Sequence, residues 1–137
     1  MTGIVIATHC KLGDALIEAA EFILGKRPEG VVSISIDLND NPQKLLDKIS
    51  AGMKEVHQNK GVLILTDMFG GTPSNLSYSF LEEGRVEVLS GVNLPILIKA
   101  LRIRNEMGLS EIAKNLEEFG KKSISLASGI LKGQSRS

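Results

Sequence analysis

Three groups of residues in this chain could do chemistry together. His9 follows an apolar run at the amino end, in IVIATHCKLGDAL. Asp67 follows a second apolar run, in GVLILTDMFGGTPSN. Just beyond it lie Gly70, Gly71 and Thr72. An imidazole titrates near neutrality, so His9 can serve as base, ligand or nucleophile. A carboxylate such as Asp67 can hold one ring nitrogen as N–H and leave the other free to attack, which is the base–orienter logic of nucleophilic sites. Gly-Gly-Thr-Pro-Ser-Asn leads into a helix start, where unpaired backbone N–H groups and the helix dipole favour an anion such as phosphate. Paired glycines let the backbone approach a ligand closely. Nucleophile, orienter and anion cradle together suit phosphoryl transfer through a phosphohistidine.

Each part alone has a plainer explanation. A histidine after a strand is most often a polar loop residue. An aspartate there is often a turn residue, and Thr72 could simply cap the helix that Pro73 begins. Met68 and Phe69 fit either inward packing or a protein-docking patch. What joins the parts is the fold that positions them.

Apolar strand-like runs alternate with helical periods along the chain. Strands are expected at Ile4–Ala7, Val31–Leu38, Val62–Leu65 and Val86–Leu89. Helices are expected from Leu12 to Leu24, from the Asn41-Pro42 cap to near Asn59, from Thr72 to about Glu83, from Pro95 to Arg104, and after a cap at Ser110. KSISLAS, residues 122–128, alternates as a final strand would. This pattern predicts an α/β fold with a parallel sheet covered by helices on both faces. Such sheets carry their functional residues at the carboxyl ends of strands, at the point where strand order reverses. His9 and Asp67 face each other there if the first strand is central. One domain over residues 1–129 and a polar tail over 130–137 are expected.

Composition narrows the function. The 137 residues carry zero formal net charge, which argues against a nucleic-acid or anionic-membrane surface. One cysteine, Cys10, allows no disulfide within the chain and fits a reducing cytoplasm. The first apolar run is too short for a secretory leader and no segment approaches membrane-spanning length, so no membrane insertion is expected. Two histidines far apart, His9 and His57, give no zinc spacing. There is no tryptophan and one tyrosine, which leaves little for stacking nucleic-acid bases or a flavin.

With these residues in view, the chain resembles the IIA domain of the mannose/fructose/sorbose family of the bacterial phosphoenolpyruvate-dependent sugar phosphotransferase system. IVIATHCKLGDAL, GVLILTDMFGGTPSN and VLSGVNLPILIKAL carry the resemblance. It implies a three-layer sandwich with strand order 2-1-3-4, plus an antiparallel carboxyl-terminal strand exchanged within a homodimer; KSISLAS is the segment that fits. It implies a phosphotransferase in which His9 takes a phosphoryl group from the phosphocarrier HPr and passes it to a IIB component for sugar uptake. Asp67 would orient the imidazole. Gly70, Gly71 and Thr72 would contact phosphoryl oxygens, and Thr8, Met68, Phe69 and Asn93 would line the site. No metal or organic cofactor is implied. The chain stops soon after KSISLAS, so IIB would be a separate polypeptide, or absent. The alternative is a stand-alone regulatory protein whose His9 phosphorylation signals to a partner.

Overall fold

Strands one and three are uninterrupted runs of Ile, Val and Leu, a composition that only a sheet covered on both faces can bury. In the computed structural model, which describes residues 1–133, both lie at the centre. Strand β1 (Gly3–His9) is flanked by β2 (Val31–Ile36) and β3 (Val62–Thr66), and β4 (Val86–Ser90) pairs with β3. All pairings are parallel, in the order β2-β1-β3-β4. The expected fold class and strand order are therefore those observed.

The pleat divides the core in two. Ile4, Ile6, Leu63 and Leu65 point to one face, where α1 (Leu12–Leu24), α4 (Leu94–Ile103) and α5 (Leu109–Lys122) cover them. Val5, Ala7, Val62 and Ile64 point to the other, under α2 (Pro42–Val56) and α3 (Thr72–Ser77). Asn41 caps α2 by accepting from the Lys44 N–H at 2.8 Å, with Pro42 opening the helix. Among the described residues no helix is long and apolar enough to cross a membrane.

Three expectations need correction. KSISLAS is not a strand. Helix α5 runs on to Lys122, and Ser123 closes its end with its N–H and hydroxyl on the Gly120 carbonyl. A last helix, α6, occupies Ala127–Leu131, started by Gly129 and Ile130 N–H groups donating to the Leu126 carbonyl. A strand needs a partner edge, and this segment finds none among the described residues, so Ile124 and Leu126 stand uncovered. The helix after the glycine turn is also shorter than expected. Regular α-helix ends at Ser77, followed by a 3₁₀ turn at Tyr78–Phe80. Ser77 and Ser79 turn their hydroxyls onto the Pro73 and Leu76 carbonyls, the back-bonding that weakens serine-rich helices. Finally, α5 begins after Gly108, with Ser110 inside its first turn. The expected tail begins within α6, and its residues 134–137 lie outside the described residues.

Candidate functional site

Strand order places the carboxyl ends of β1 and β3 side by side, with β2 and β4 on opposite flanks. This is the switch point of the sheet, where two diverging loops leave a crevice. Ala7 is in register with Thr66. His9, the last residue of β1, therefore sits beside Asp67, the first residue past β3.

The contact between them is direct. Asp67 Oδ2 lies 2.8 Å from His9 Nδ1 and also accepts the His9 backbone N–H at 3.0 Å. One carboxylate oxygen thus grips both the ring and the main chain of the histidine. Burial pushes the Asp67 carboxyl up, but the hydrogen bonds from the His9 ring and backbone, with the imidazole's charge, outweigh it and hold the group below its ordinary value. Asp67 is consequently an ionised acceptor at neutral pH, so Nδ1 carries the proton. The lone pair is then on Nε2. The His9 side chain is 37% exposed, whereas that of Asp67 is only 10% exposed. The imidazole is open to solvent and the carboxylate that grips it is not.

The glycine turn closes on the same ring. Gly71 is the N-cap of α3, with φ −84° and ψ 169°. A Cβ on Gly71 would lie 2.9 Å from His9 Cε1, 3.5 Å from Nε2 and 3.3 Å from Met68 Cγ. Only hydrogen fits between this backbone and the imidazole. Gly70 has φ +84°, a left-handed conformation that glycine adopts without penalty, and it has open space around it. The cap falls one residue earlier than the sequence suggests. Gly71 caps, Thr72 is the first helical residue, and Pro73 the second. Among the described residues no hydrogen bond engages the Thr72 hydroxyl.

The remaining expected site residues take different places. Thr8 is fully buried and its Oγ1 accepts the Gly13 N–H at 2.9 Å, so it holds the turn between β1 and α1. Asn93 caps α4 by accepting the Ile96 N–H at 2.9 Å, which occupies its side-chain oxygen. Met68 and Phe69 project outward, with Phe69 79% exposed. Leu12, the first residue of α1, is exposed as well. Cys10, beside the histidine, is exposed at φ 52°, an unusual conformation for a residue with a side chain. Sequence reasoning missed the role of Thr66, Ser74 and Ser90, whose hydroxyls are joined below the site. Serine and threonine in these turns gave no periodic signal to find them by.

Comparison with known proteins gives the family. The family described as "PTS system fructose IIA component" matches residues 3–117. The fructose-specific EIIA component of Bacillus subtilis is 31% identical over 129 residues, covering 93% of this chain and 88% of that protein. The mannose-specific EIIAB component of Escherichia coli K12 is 36% identical over 104 residues, covering 75% of this chain and 32% of that longer protein. Among solved structures, a phosphotransferase system EIIA component from Streptococcus agalactiae superposes with a TM-score of 0.80 at 28% identity, covering 93% of this chain and 98% of that one. A crevice that pairs an open imidazole with a buried carboxylate at the switch point, and these matches along nearly the whole chain, place it in the mannose/fructose IIA family of the sugar phosphotransferase system.

Proposed function

We propose that this chain is a phosphoryl carrier of the sugar phosphotransferase system in which His9 Nε2 is the phosphoryl-accepting atom. The observation that carries the reading is the 2.8 Å contact between Asp67 Oδ2 and His9 Nδ1, which leaves Nε2 unprotonated and facing the crevice beside Gly71. In the forward step the Nε2 lone pair forms a bond to phosphorus as the N–P bond on the histidine of phospho-HPr breaks. The departing carrier imidazole keeps the electron pair. The proton stays on Nδ1, donated to Asp67, whose carboxylate balances the positive charge that develops on the His9 ring. In this reading the backbone N–H groups of Gly71 and Thr72, with the Thr72 hydroxyl, donate to phosphoryl oxygens; the closeness of Gly71 to the His9 ring supports it. Transfer of this kind needs little covalent machinery from the protein and depends on positioning and charge.

The exposed apolar side chains of Met68 and Phe69, in the turn beside His9, support docking of a protein donor and acceptor, HPr and then a IIB component. A small-molecule substrate would call for an enclosed pocket, and His9 stands open instead. A homodimer would cover Ile124 and Leu126, which one chain leaves in solvent. The test is incubation with phosphoenolpyruvate, enzyme I and HPr, followed by intact-mass measurement. One added phosphoryl group, lost in acid and absent in His9→Ala, is expected. A wild-type protein that takes none from a cognate carrier refutes the reading. A phosphorylated protein that no IIB discharges identifies the regulatory alternative.

A further inference from the structure

Beneath the two turns of the crevice runs a chain of three hydroxyls that the phosphoryl chemistry does not itself require. Thr66, the residue before Asp67, is fully buried, and its Oγ1 donates to Ser90 Oγ at 2.8 Å. Ser90, the last residue of β4, donates to Ser74 Oγ at 3.2 Å. Ser74 is the third residue of α3 and is also fully buried. The Thr66 carbonyl is occupied as well, accepting the N–H groups of Gly91 and Val92, each at 2.9 Å. The ends of β3 and β4 and the start of α3 are thus tied together behind Asp67.

Sheet pairing does not explain this arrangement. Thr66 and Ser90 are already in register through the β3–β4 ladder. Valine at position 66 and alanine at positions 74 and 90 would satisfy the same backbone and avoid burying the Thr66 and Ser74 hydroxyls. What the hydroxyls add is a fixed height and rotation for α3 relative to the strand ends. Helix α3 is only six residues long, too short to hold its own position. Its N-cap, Gly71, meets the His9 ring with no room for a methyl group. Slack in α3 therefore passes directly to the imidazole and to the N–H groups beside Nε2.

We propose that Thr66, Ser90 and Ser74 are positioning residues for phosphoryl transfer, locking the amino end of α3 against His9. The inference rests on the phosphocarrier reading. The test uses the full-length chain as Ser90→Ala, Ser74→Ala, the double variant and Ser90→Thr, which keeps a hydroxyl on an edge strand where a β-branched residue fits. Transfer from phospho-HPr is measured under saturating and limiting carrier. Each alanine variant should lower kcat by about tenfold, since misplacement by ~1 Å costs up to ~100-fold. KM for phospho-HPr should stay within experimental error of wild type. The double variant should be no slower than the slower single, because either break severs the same chain. Ser90→Thr should restore the rate. Independently of any transfer, the amide resonances of Gly71 and Thr72 and the His9 Cε1–H resonance should move in Ser90→Ala and return in Ser90→Thr. Unchanged resonances and an unchanged kcat in Ser90→Ala overturn the proposal, as do losses that multiply in the double variant. A wild-type chain that accepts no phosphoryl group sinks the functional reading instead, and the resonances still decide the positioning role.

Discussion

Gly71→Ala offers a perturbation whose effect follows from one distance. The backbone at Gly71 is extended, with φ −84°, so alanine introduces no backbone strain. Its methyl group, however, would stand 2.9 Å from His9 Cε1. Ordinary carbon–carbon contact begins near ~3.5 Å, so the ring or the turn must give by about 0.6 Å. The ring is held from behind by its 2.8 Å bond to Asp67 Oδ2, and swinging it off its rotamer costs about 0.5–1.5 kcal/mol. Either movement displaces Nε2 relative to the N–H groups of the turn. A shift of this size costs about 10- to 100-fold in transfer rate, since ~1 Å costs up to ~100-fold. The fold should survive, because the methyl group faces the crevice and leaves the core untouched. Gly70→Ala provides the contrast. It meets nothing within 4 Å but must adopt φ +84°, which costs about 1 kcal/mol of stability through strain. Quenched-flow transfer from phospho-HPr and denaturant unfolding, run on both variants, separate the effects. Gly71→Ala should be slow and stable, and Gly70→Ala faster and less stable. Wild-type transfer by Gly71→Ala would refute the close packing of the turn against the imidazole.

Further expectations follow from the same geometry. Asp67→Asn should slow transfer by about 10- to 150-fold, the worth of a charge-assisted hydrogen bond of about 1.5–3 kcal/mol; an amide can donate to Nδ1 and move the ring proton to Nε2. Because the Asp67 carboxyl lies below its ordinary value in the folded chain, the stability it lends is complete above about pH 4. That stability is lost as pH falls through the folded value, and an acid-unfolding comparison of wild type with Asp67→Asn reads it. Thr8→Val should cost about 1–3 kcal/mol in denaturant unfolding by leaving the buried Gly13 N–H without its acceptor. If a homodimer covers the carboxyl-terminal segment, Ile124→Glu should lower the sedimentation coefficient from a dimer to a monomer value; a monomeric wild type would contradict that assembly.

Much of this was legible in the sequence for reasons that differ by element. β1 and β3 were unmistakable because only doubly covered strands carry runs such as Ile4-Val5-Ile6-Ala7 and Val62-Leu63-Ile64-Leu65, and every residue of these two runs is buried. Asn41-Pro42 marked a helix start because its capping chemistry is local. KSISLAS misled because alternation reports only that two faces differ. It does not report whether an edge is within reach, and here the chain turned into α5 and α6 instead. The meeting of His9 with Asp67 depended on strand order, which no local pattern encodes, and the resemblance supplied it. The hydroxyl chain was invisible for the same reason. Thr66, Ser74 and Ser90 come from three elements, and serine or threonine at each is unremarkable alone. Asn93 belonged to a turn that resembles the family, yet its side chain is engaged in capping α4.

The claim that matters most is which atom takes the phosphoryl group. Long-range ¹H–¹⁵N NMR on the protein phosphorylated through HPr distinguishes the two ring nitrogens of His9. The geometry predicts phosphorus on Nε2, with Nδ1 still protonated and bonded to Asp67. Phosphorus on Nδ1, or on any residue other than His9, would contradict it.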